Sequence, residues 1–381
     1  MNIIKIGGIL LSDFANYDKF KKFLGDFSRP AFVVISAIGK TTRLLQKAAY
    51  QAFENNYESA VETIHLIKEL HLSIVNRIFG AENDVNTQLN NVFIEIQNLI
   101  KGISITRELN NKILDKILAK GEILSSIIVF NYLIKNNFPV SLLNANDYII
   151  TDNNFGSANP IIEETKKRLE NLEIQNKIYL IAGFYGSTLN GATTTMGYES
   201  SNLTAALLAS VFDVDSITII TDVDCIYSAD PKLIQNPIPV ERINSRTAKL
   251  LSKFGLKLIH NQMIDVIENK DIILKFTSLD NTLSTLVSNS VQDVSTPIIC
   301  FNDNIESDIT NLSLPIEKPK SFVAIANVNN ALLMKITDFL GSRNLSFAMT
   351  YSNKSNFLLV FFSQQLASEI SQQLHEIIVI N

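Results

Sequence analysis

The stretch Ala31-Phe32-Val33-Val34-Ile35-Ser36 is an apolar run with the length of one β-strand, and a glycine follows it at position 39. A half-buried strand alternates apolar and polar residues, whereas an unbroken apolar run is typical of a strand covered on both faces. Four more short apolar runs, separated by helical patterns, lie at residues 3–6, 140–143, 178–181 and 216–220. The sequence therefore predicts an α/β fold with a mostly parallel sheet between layers of helices.

The C-terminal part of the chain carries a different pattern. The elements predicted after residue 320 are a strand (322–326), a helix (330–340), two strands (345–350 and 357–362), a helix (364–374) and a strand (377–380). This β-α-β-β-α-β order is that of the ferredoxin-like unit, an α+β fold. Residues 277–296 are rich in Ser, Thr, Asn and Asp, so we expect a connecting segment at 277–320. The predicted domains are residues 1–276 and 321–381, on either side of that segment.

Composition excludes several classes of protein. With 46% hydrophobic and 19% charged residues over 381 positions, the chain can bury a sizeable core, which disordered and fibrous chains cannot. Its formal net charge is −5, so we predict no nucleic-acid partner. The two cysteines are too few for a disulfide framework, and the four histidines are scattered without metal-ligand spacing. We therefore predict no metal ligands from the protein.

The sequence predicts neither a membrane span nor an export signal. Its apolar runs, such as residues 127–130 and 357–362, are far shorter than the roughly 18 residues of a spanning helix. The first residues show no basic region followed by an apolar stretch and a small-residue cleavage site. We therefore expect a cytoplasmic protein without a membrane partner.

Glycine is scarce, with 14 residues, so glycine clusters are informative. Lys5-Ile6-Gly7-Gly8 ends the first predicted strand, where two glycines let the backbone approach a phosphate and the ammonium can neutralise it. A plain turn would use the same residues. Gly191-Ala192-Thr193-Thr194-Thr195-Met196-Gly197 precedes a predicted helix whose free N–H groups would attract an anion. An ordinary helix cap by Ser200 or Ser201 is the alternative.

Three further stretches place polar residues at the ends of predicted elements. Ser36-Ala37-Ile38-Gly39-Lys40-Thr41-Thr42 contains the tail of a P-loop, but Val34 stands where that motif needs a glycine, so we exclude it. A loop whose hydroxyls bind a small substrate stays open. Glu122 is a carboxylate among apolar residues, and a solvent-facing helix position is the simpler interpretation. The stretch from Thr221 to Lys232 has the carboxylates and the tyrosine of a nucleotide pocket, although its Asp-Pro pair is also turn chemistry.

Read in chain order, these motifs resemble those of the aspartate kinase branch of the amino-acid kinase family. The resemblance runs from Lys5 to about Phe276, and seven motifs in family order are far more specific than any one of them. Three of the seven are the motifs quoted above that begin at Lys5, Ser36 and Gly191. The other four are Gly121-Glu122-Ile123-Leu124-Ser125-Ser126, Thr151-Asp152-Asn153-Asn154-Phe155-Gly156-Ser157-Ala158, Thr221-Asp222-Val223-Asp224 through Asp230-Pro231, and Phe254-Gly255-Leu256-Lys257-Leu258-Ile259-His260. The C-terminal unit resembles an ACT regulatory module. The family carries two such modules, and one whole module fits here, so we expect remnant strands of the other within residues 272–315 and the connecting segment 277–320.

The resemblance implies a three-layer αβα sandwich that transfers the γ-phosphoryl group of MgATP to the side-chain carboxylate of L-aspartate. The product is 4-phospho-L-aspartate, in the first step of lysine, threonine and methionine biosynthesis. Lys5, Gly7 and Gly8 would stabilise the transferring group. The implied substrate-binding residues are Ser36, Thr42, Glu122 (for the ammonium group), Tyr198, Ser201 and Asn202. The implied ATP-binding residues are Thr221, Asp222, Tyr227, Lys232 and Lys257.

The same resemblance implies partners and a cofactor. Mg²⁺ would be held mainly by phosphate oxygens and water, with few direct protein ligands. We also expect an amino-acid effector at the ACT-like region and a homodimer or a higher homo-oligomer.

The loop after the Thr-rich motif departs from the family pattern Gly-Arg-Gly-Gly-Ser-Asp. Tyr198 replaces the arginine that pairs with the substrate carboxylate in the family, Glu199 adds a negative charge, and Asn202 is uncharged. Arg43 is the nearest candidate for a replacement cation, although an exposed helix residue is the simpler interpretation. Three functions stay open: an aspartate kinase, a diverged kinase with another acceptor, and a nucleotide-binding protein without catalysis.

Overall fold

The computed structural model describes residues 1–81, 83–256, 259, 261–268, 270–303, 319–343 and 345–380. The chain forms two compact units. The first unit is Met1–Asp224 with Thr277–Thr282, and the second unit is Cys225–Phe276 with Leu283–Asn381. Cys225–Phe276, which we expected to lie in the first domain, thus groups with the C-terminal residues. The domain boundaries at residues 276 and 320 stay a prediction.

The first unit combines short strands with longer helices. Its strands are β1 (Asn2–Ile6), β2 (Ala31–Ile35), β3 (Val140–Leu143), β4 (Ile150–Thr151), β5 (Ile178–Ala182), β6 (Tyr185–Thr188), β7 (Thr193–Thr195) and β8 (Ser216–Ile220). Its helices are α1 (Ala15–Gly25), α2 (Thr41–Phe53), α3 (Tyr57–Phe79), α4 (Asp84–Thr106), α5 (Asn111–Leu118), α6 (Lys120–Lys135), α7 (Ala145–Tyr148), α8 (Ile162–Glu170) and α9 (Ser201–Val211).

Five strands of the first unit form a parallel sheet in the order β3-β5-β2-β1-β8. All five residues of β2 are buried, as expected for a strand covered on both faces. Helix α9 packs against β1, β2 and β8, and α6 packs against β2, β3 and β5. Strands β4, β6 and β7 form a separate small sheet. The predicted α/β fold with a mostly parallel sheet is confirmed.

This strand order places three of the predicted motifs together. Strands β2, β1 and β8 are parallel neighbours, so their carboxyl ends lie side by side. The residues that follow these strands begin with Ser36, Gly7 and Thr221. We call this end of the sheet the loop edge. Ligands of open parallel sheets generally bind outside the carboxyl ends of the strands, so the loop edge is the expected place for a site.

Three successive helices of the first unit, α3, α4 and α5, begin at asparagine caps. The side chains of Asn56, Asn83 and Asn110 accept hydrogen bonds from backbone N–H groups in the first turns of α3, α4 and α5. Gly80 ends α3 with a φ of 87°, which a residue with a side chain rarely adopts. Gly102, by contrast, lies inside α4.

One stretch of the described residues, Asn111–Lys135, is long and apolar enough by length and composition to cross a membrane. Of its most apolar 18-residue window, 67% is buried inside the protein. The stretch consists of α5 and α6, and α6 packs on the sheet. A buried core helix passes the same test, so this stretch is weak evidence for a membrane span.

The second unit contains an antiparallel sheet. Its elements are β9 (Arg242–Asn244), α10 (Ser245–Lys253), α11 (Asn261–Glu268), β10 (Ile273–Thr277), β11 (Ser284–Ser288), β12 (Ile298–Asn302), β13 (Ser321–Ala326), α12 (Asn330–Gly341), β14 (Phe347–Ser352), β15 (Phe357–Phe362) and α13 (Ala367–His375). Strands β9 and β11 pair in parallel. The antiparallel sheet has the order β12-β13-β15-β14, and we call it the C-terminal sheet.

The last predicted element is wrong. Residues 377–380 were expected to form a strand, but Glu376–Ile380 is a π-helical turn that continues α13. Strand β12 pairs antiparallel with β13 and occupies that edge of the sheet. The C-terminal residues instead contribute their apolar side chains to the core, where Ile378 is buried in one cluster with Leu374 and Ile370. The predicted order of elements from β13 to α13 is confirmed, and each predicted end lies within three residues of the observed one.

Candidate active site

The loop edge is held together by Gly8. Its carbonyl oxygen accepts a hydrogen bond of 2.9 Å from the Gly39 N–H, which joins the loops after β1 and β2. A Cβ atom at Gly8 would lie 1.7 Å from the carbonyl oxygen of Ala37, so any side chain would push the two loops apart. At Gly7 a Cβ would lie 3.4 Å from the Ile220 carbonyl oxygen. Gly8 therefore has a packing role in addition to its predicted contact with phosphate.

Lys5 lies on β1 near the loop edge. Burial lowers the pKa of its ammonium group to about 8, and the carboxylates of Glu199 and Asp222 partly oppose this shift. Lys5 is therefore still mostly protonated at pH 7, and it lies within electrostatic reach of two acids from different loops. A partly desolvated cation at the end of a parallel strand is well suited to stabilise a transferring phosphoryl group.

Glu122 lies in the first turn of α6 and is only 3% exposed. The interpretation as a solvent-facing residue is therefore wrong. Its Oε1 accepts a hydrogen bond of 3.3 Å from the Ala37 N–H, whereas its Oε2 has no hydrogen-bond partner among the described residues. Burial raises the pKa of this carboxyl to about 8, and the backbone hydrogen bonds partly oppose the shift. A buried carboxyl with a free oxygen is prepared to bind a cationic group of a ligand.

Ser36 and Thr42, the predicted substrate contacts, are both half-buried. Ser36 directly precedes Ala37, the residue bonded to Glu122, and Thr42 lies in the first turn of α2. The neighbouring Thr41 is fully buried, and its hydroxyl donates to the Ile38 carbonyl oxygen at 2.6 Å. Thr42, which is predicted to bind substrate, is therefore more accessible than Thr41.

The start of α9 carries no side-chain cap. The Ser200 hydroxyl donates to the Gly197 carbonyl oxygen at 2.6 Å, so the interpretation of Ser200 as an ordinary cap is wrong. Ser201 is buried against Gly183, where a Cβ would lie 2.7 Å from the Ser201 Cβ. Asn202 is also buried. The N–H groups of this helix start are thus left without a side-chain cap.

Tyr198 packs against helix α2. It is 47% exposed, and its hydroxyl donates to Gln46 Oε1 at 2.5 Å. Partial burial raises the pKa of this tyrosine, and the Arg43 guanidinium partly opposes the shift, so Arg43 lies close by. Arg43 and Gln46 are one turn apart on α2. The structure thus places a cation beside the position at which the family pattern has arginine.

Asp115 is a buried carboxylate that the sequence analysis missed. Its two oxygens accept hydrogen bonds from the Thr195 hydroxyl at 2.5 Å and from the Gly156 N–H at 2.8 Å. Burial raises its pKa, while these hydrogen bonds lower it. Asp115 thereby ties α5 to the Thr-rich strand β7 and to the loop around residue 156. Its only signal in the sequence is an acidic residue on the apolar side of a short helix, next to Leu114 and about one turn before Leu118.

The predicted ATP-binding residues are divided between the two units. Thr221 and Asp222 belong to the first unit, and the Thr221 hydroxyl donates to the Val223 carbonyl oxygen at 2.7 Å. Tyr227 and Lys232 belong to the second unit, where a cavity of about 520 Å³ is lined by residues 231–237. The Lys232 N–H donates to Asp230 Oδ1 at 2.9 Å, so the Asp-Pro pair also forms a turn. Lys257 lies outside the described residues.

The loop that carries Tyr227 and Lys232 is fixed to the C-terminal helix of its own unit. Ser228 and His375 share a buried hydrogen bond of 2.8 Å between Oγ and Nε2. The Gln235 N–H donates to Gln372 Oε1 at 2.9 Å. Two further residues of the loop, Ala229 and Ile234, belong to the core of the C-terminal sheet. This attachment was not predicted, because nothing in the sequence pairs residue 228 with residue 375.

The described residues contain no group of three or more His, Cys, Asp or Glu side chains that could hold a metal ion. The acids nearest Lys5 are Glu199 and Asp222. Such a site fits a divalent ion that arrives with phosphate oxygens and keeps several water ligands.

The amino acid kinase family model matches residues 1–278, and the chain belongs to this family. The bifunctional aspartokinase/homoserine dehydrogenase of Buchnera aphidicola is 27% identical over 298 residues, which are 75% of this chain and 36% of that protein. The aspartokinase of Chlamydia trachomatis is 27% identical over 322 residues, which are 84% of this chain and 69% of that protein. The chain thus spans about a third of the first relative and about two thirds of the second.

Solved structures show the same fold. The crystal structure of Escherichia coli aspartokinase III with aspartate and ADP has a TM-score of 0.83 and 18% identity, and the match covers 99% of each chain. The structure of the same enzyme with lysine and aspartate has a TM-score of 0.78. At this identity the likeness establishes the fold, and it agrees with the three-layer αβα sandwich that the resemblance implied.

Proposed function

We propose that this chain is an aspartate kinase. It transfers the γ-phosphoryl group of ATP to the side-chain carboxylate of L-aspartate, giving ADP and 4-phospho-L-aspartate. The observation that carries the proposal is the loop edge, where β1 carries the half-buried Lys5 and the buried Glu122 of α6 hydrogen-bonds to the loop after β2. Membership of the amino acid kinase family and relatives named aspartokinase support it.

In the proposed reaction a side-chain carboxylate oxygen of aspartate attacks the γ-phosphorus, and the bond from that phosphorus to the β,γ-bridging oxygen breaks. Lys5 stabilises the charge on the transferring group, and it can do so because it is charged at neutral pH despite its burial. Gly7 has no side chain, so its backbone would let phosphate oxygens approach closely. Asp222, which acts electrostatically on Lys5, is the residue that would help to hold Mg²⁺, and the ion would supply charge neutralisation of the phosphates.

Glu122 binds the ammonium group of the acceptor through the oxygen that has no partner among the described residues. Because burial holds its pKa near 8, the free protein carries this carboxyl mostly protonated at pH 7. Binding of a cationic ammonium favours the ionised carboxylate, so acceptor binding should release a proton from Glu122. Arg43, beside Tyr198, is proposed to bind the α-carboxylate in place of the family's arginine.

A kinase with another acceptor is the second candidate, and the loop before α9 favours it. Glu199 adds a carboxylate near Lys5, which should repel a dicarboxylate. Tyr198 offers one neutral hydroxyl, which already bonds to Gln46. A nucleotide-binding protein without catalysis is the third candidate.

Two measurements separate the three candidates. Calorimetry with a non-hydrolysable MgATP analogue tests nucleotide binding, and the absence of binding at millimolar concentrations would reject all three. ADP release is then measured against a panel of amino acids. Aspartate should give the highest kcat/KM. Another amino acid in first place would support the second candidate, and no turnover with any amino acid would support the third.

The remaining roles are proposed from the resemblance. The antiparallel C-terminal sheet supports the assignment of an ACT-like module that binds an amino-acid effector. We also propose a homodimer or higher homo-oligomer in the cytoplasm. Light scattering would test the oligomeric state, and repeating it with added amino acids would test whether an effector binds and changes that state.

A further inference from the structure

A cavity of about 610 Å³ in the second unit shares no residue with the candidate active site. Its lining comes from parts of the chain that are distant in sequence: helix α10, the last residue of α11, the residue after β11 and the turn between β14 and β15. Most of the side chains that line it are polar or charged. The cavity is therefore formed by the fold and is not a groove along a single element.

Four cations line this cavity. Arg246, Lys249 and Lys253 lie at positions i, i+3 and i+7 of α10, which places them on one face of the helix. Lys354 comes from the turn between β14 and β15 and lines the same cavity. Arg246, Lys253 and Lys354 are exposed, so their charged groups are available to a ligand.

The acids around the cavity do not balance these cations. Lys249 forms an ion pair with Asp265, and their hydrogen bond raises the pKa of Lys249, so this ammonium is charged at neutral pH. Glu268 is the only acid among the described residues of the lining, and it accepts a hydrogen bond of 2.9 Å from the Ser245 hydroxyl. Arg246, Lys253 and Lys354 form no ion pair within the described part of the chain. This local positive excess occurs in a chain whose formal net charge is −5.

We propose that this cavity binds a small polyanion with two or more phosphate groups. A guanidinium offers a planar pair of donors to phosphate oxygens, and ammonium groups act as point charges that several phosphates can share. A single carboxylate would engage only one or two of the four cations. The volume of the cavity leaves space for an organic part, for which Leu250 and the Asn289 amide provide an apolar and a polar contact.

The probe that tests this proposal is inorganic tripolyphosphate, titrated calorimetrically into the full chain at low salt. The test variant is Lys253→Gln with Lys354→Gln, and the matched control is Lys101→Gln with Lys335→Gln, two exposed lysines outside the cavity. Because each lysine supplies a charge-assisted contact, the test variant should bind tripolyphosphate at least about tenfold more weakly. The control should bind it as the wild type does. These lysines are exposed, so neither pair of substitutions should disturb folding.

Hydrogen exchange shows where on the protein tripolyphosphate binds. In the wild type, tripolyphosphate should protect α10 and the turn at residues 353–356, and this protection should be absent from the test variant. A tighter complex with GTP than with tripolyphosphate would identify a nucleotide as the source of the phosphates, and equal affinity would favour a free polyphosphate. The proposal is overturned if tripolyphosphate does not bind at millimolar concentrations, if the control loses as much affinity as the test variant, or if citrate binds more tightly than tripolyphosphate.

Discussion

The two units hold their candidate functional groups by different means. In the first unit, Lys5 on β1 is half-buried and Glu122 on α6 is buried, and desolvation moves both pKa values to about 8. In the second unit, Tyr227 and Lys232 lie on a loop that is fixed by hydrogen bonds to α13, including the one between Ser228 and His375. Changes in the first unit should therefore alter kcat and pH dependence, and changes in the second should alter nucleotide binding.

The largest effect is expected at Lys5. Lys5→Met removes a preorganised charge from the transferring phosphoryl group, so kcat should fall by about two orders of magnitude or more. Steady-state ADP release measures this, and circular dichroism checks the fold. The control is Lys40→Met, because Lys40 is exposed at the start of α2 and has no assigned role. Near-wild-type kcat in a folded Lys5→Met variant would remove Lys5 from the mechanism.

Glu122→Gln should weaken the acceptor site by a smaller factor. Loss of a charged partner for the ammonium group should lower kcat/KM for aspartate roughly 10- to 100-fold. The exposed acid Glu58, changed to Gln, is the matched control. Unchanged kcat/KM in Glu122→Gln would show that the ammonium group binds elsewhere.

The same variant should change stability with a defined sign. The pKa of Glu122 is raised from 4.5 to about 8, so between these values the folded protein binds more protons than the unfolded chain. The free energy of unfolding therefore falls as the pH rises through this window, and Glu122→Gln removes that loss. The Tm of the variant relative to the wild type should be higher at pH 8 than at pH 5. An equal Tm difference at both pH values would contradict the burial argument.

Restoring the family pattern before α9 should improve aspartate use. Tyr198→Arg with Glu199→Gly and Asn202→Asp restores a charged fork, removes a repelling carboxylate, and relieves the φ of 66° at Glu199. The expected gain in kcat/KM for aspartate is about tenfold or more.

Arg43→Gln should lower kcat/KM for aspartate in the wild type and have little effect in the triple variant. Efficient use of aspartate by the wild type, without any gain in the triple variant, would refute the altered acceptor site.

The smallest effect is expected at His375. His375→Ala removes the hydrogen bond to Ser228, so the loop with Tyr227 and Lys232 should be less fixed. We expect the KM for ATP to rise about three- to tenfold, in line with the loss of one hydrogen bond. The KM for aspartate should not change, and His375→Gln, which keeps a hydrogen-bonding group, should restore part of the loss. An equal rise in both KM values would indicate general destabilisation instead.

Some features of the fold and of the site follow from local sequence, and others do not. The buried strands and the loop edge follow from apolar runs and from the geometry of parallel strands, so Lys5 and Ser36 could be placed from local sequence. The burial of Glu122 could not, because α6 carries apolar residues on its less buried side as well, such as Ile127 and Ile134, so the pattern does not show which polar position faces inward. The residues after α13 have the apolar pattern of a strand, but β12 already occupies the edge of the sheet. Pairs distant in sequence, such as Asp115 with Thr195, leave no local signal.

The most direct test of the account is to identify the product. The chain is incubated with MgATP, L-aspartate and hydroxylamine, which converts an acyl phosphate to a hydroxamate, and the product is identified by mass spectrometry. We predict the β-hydroxamate of aspartate, formed only with ATP and reduced by about two orders of magnitude in Lys5→Met. A folded protein that binds MgATP but forms no aspartate hydroxamate would contradict the assignment as an aspartate kinase.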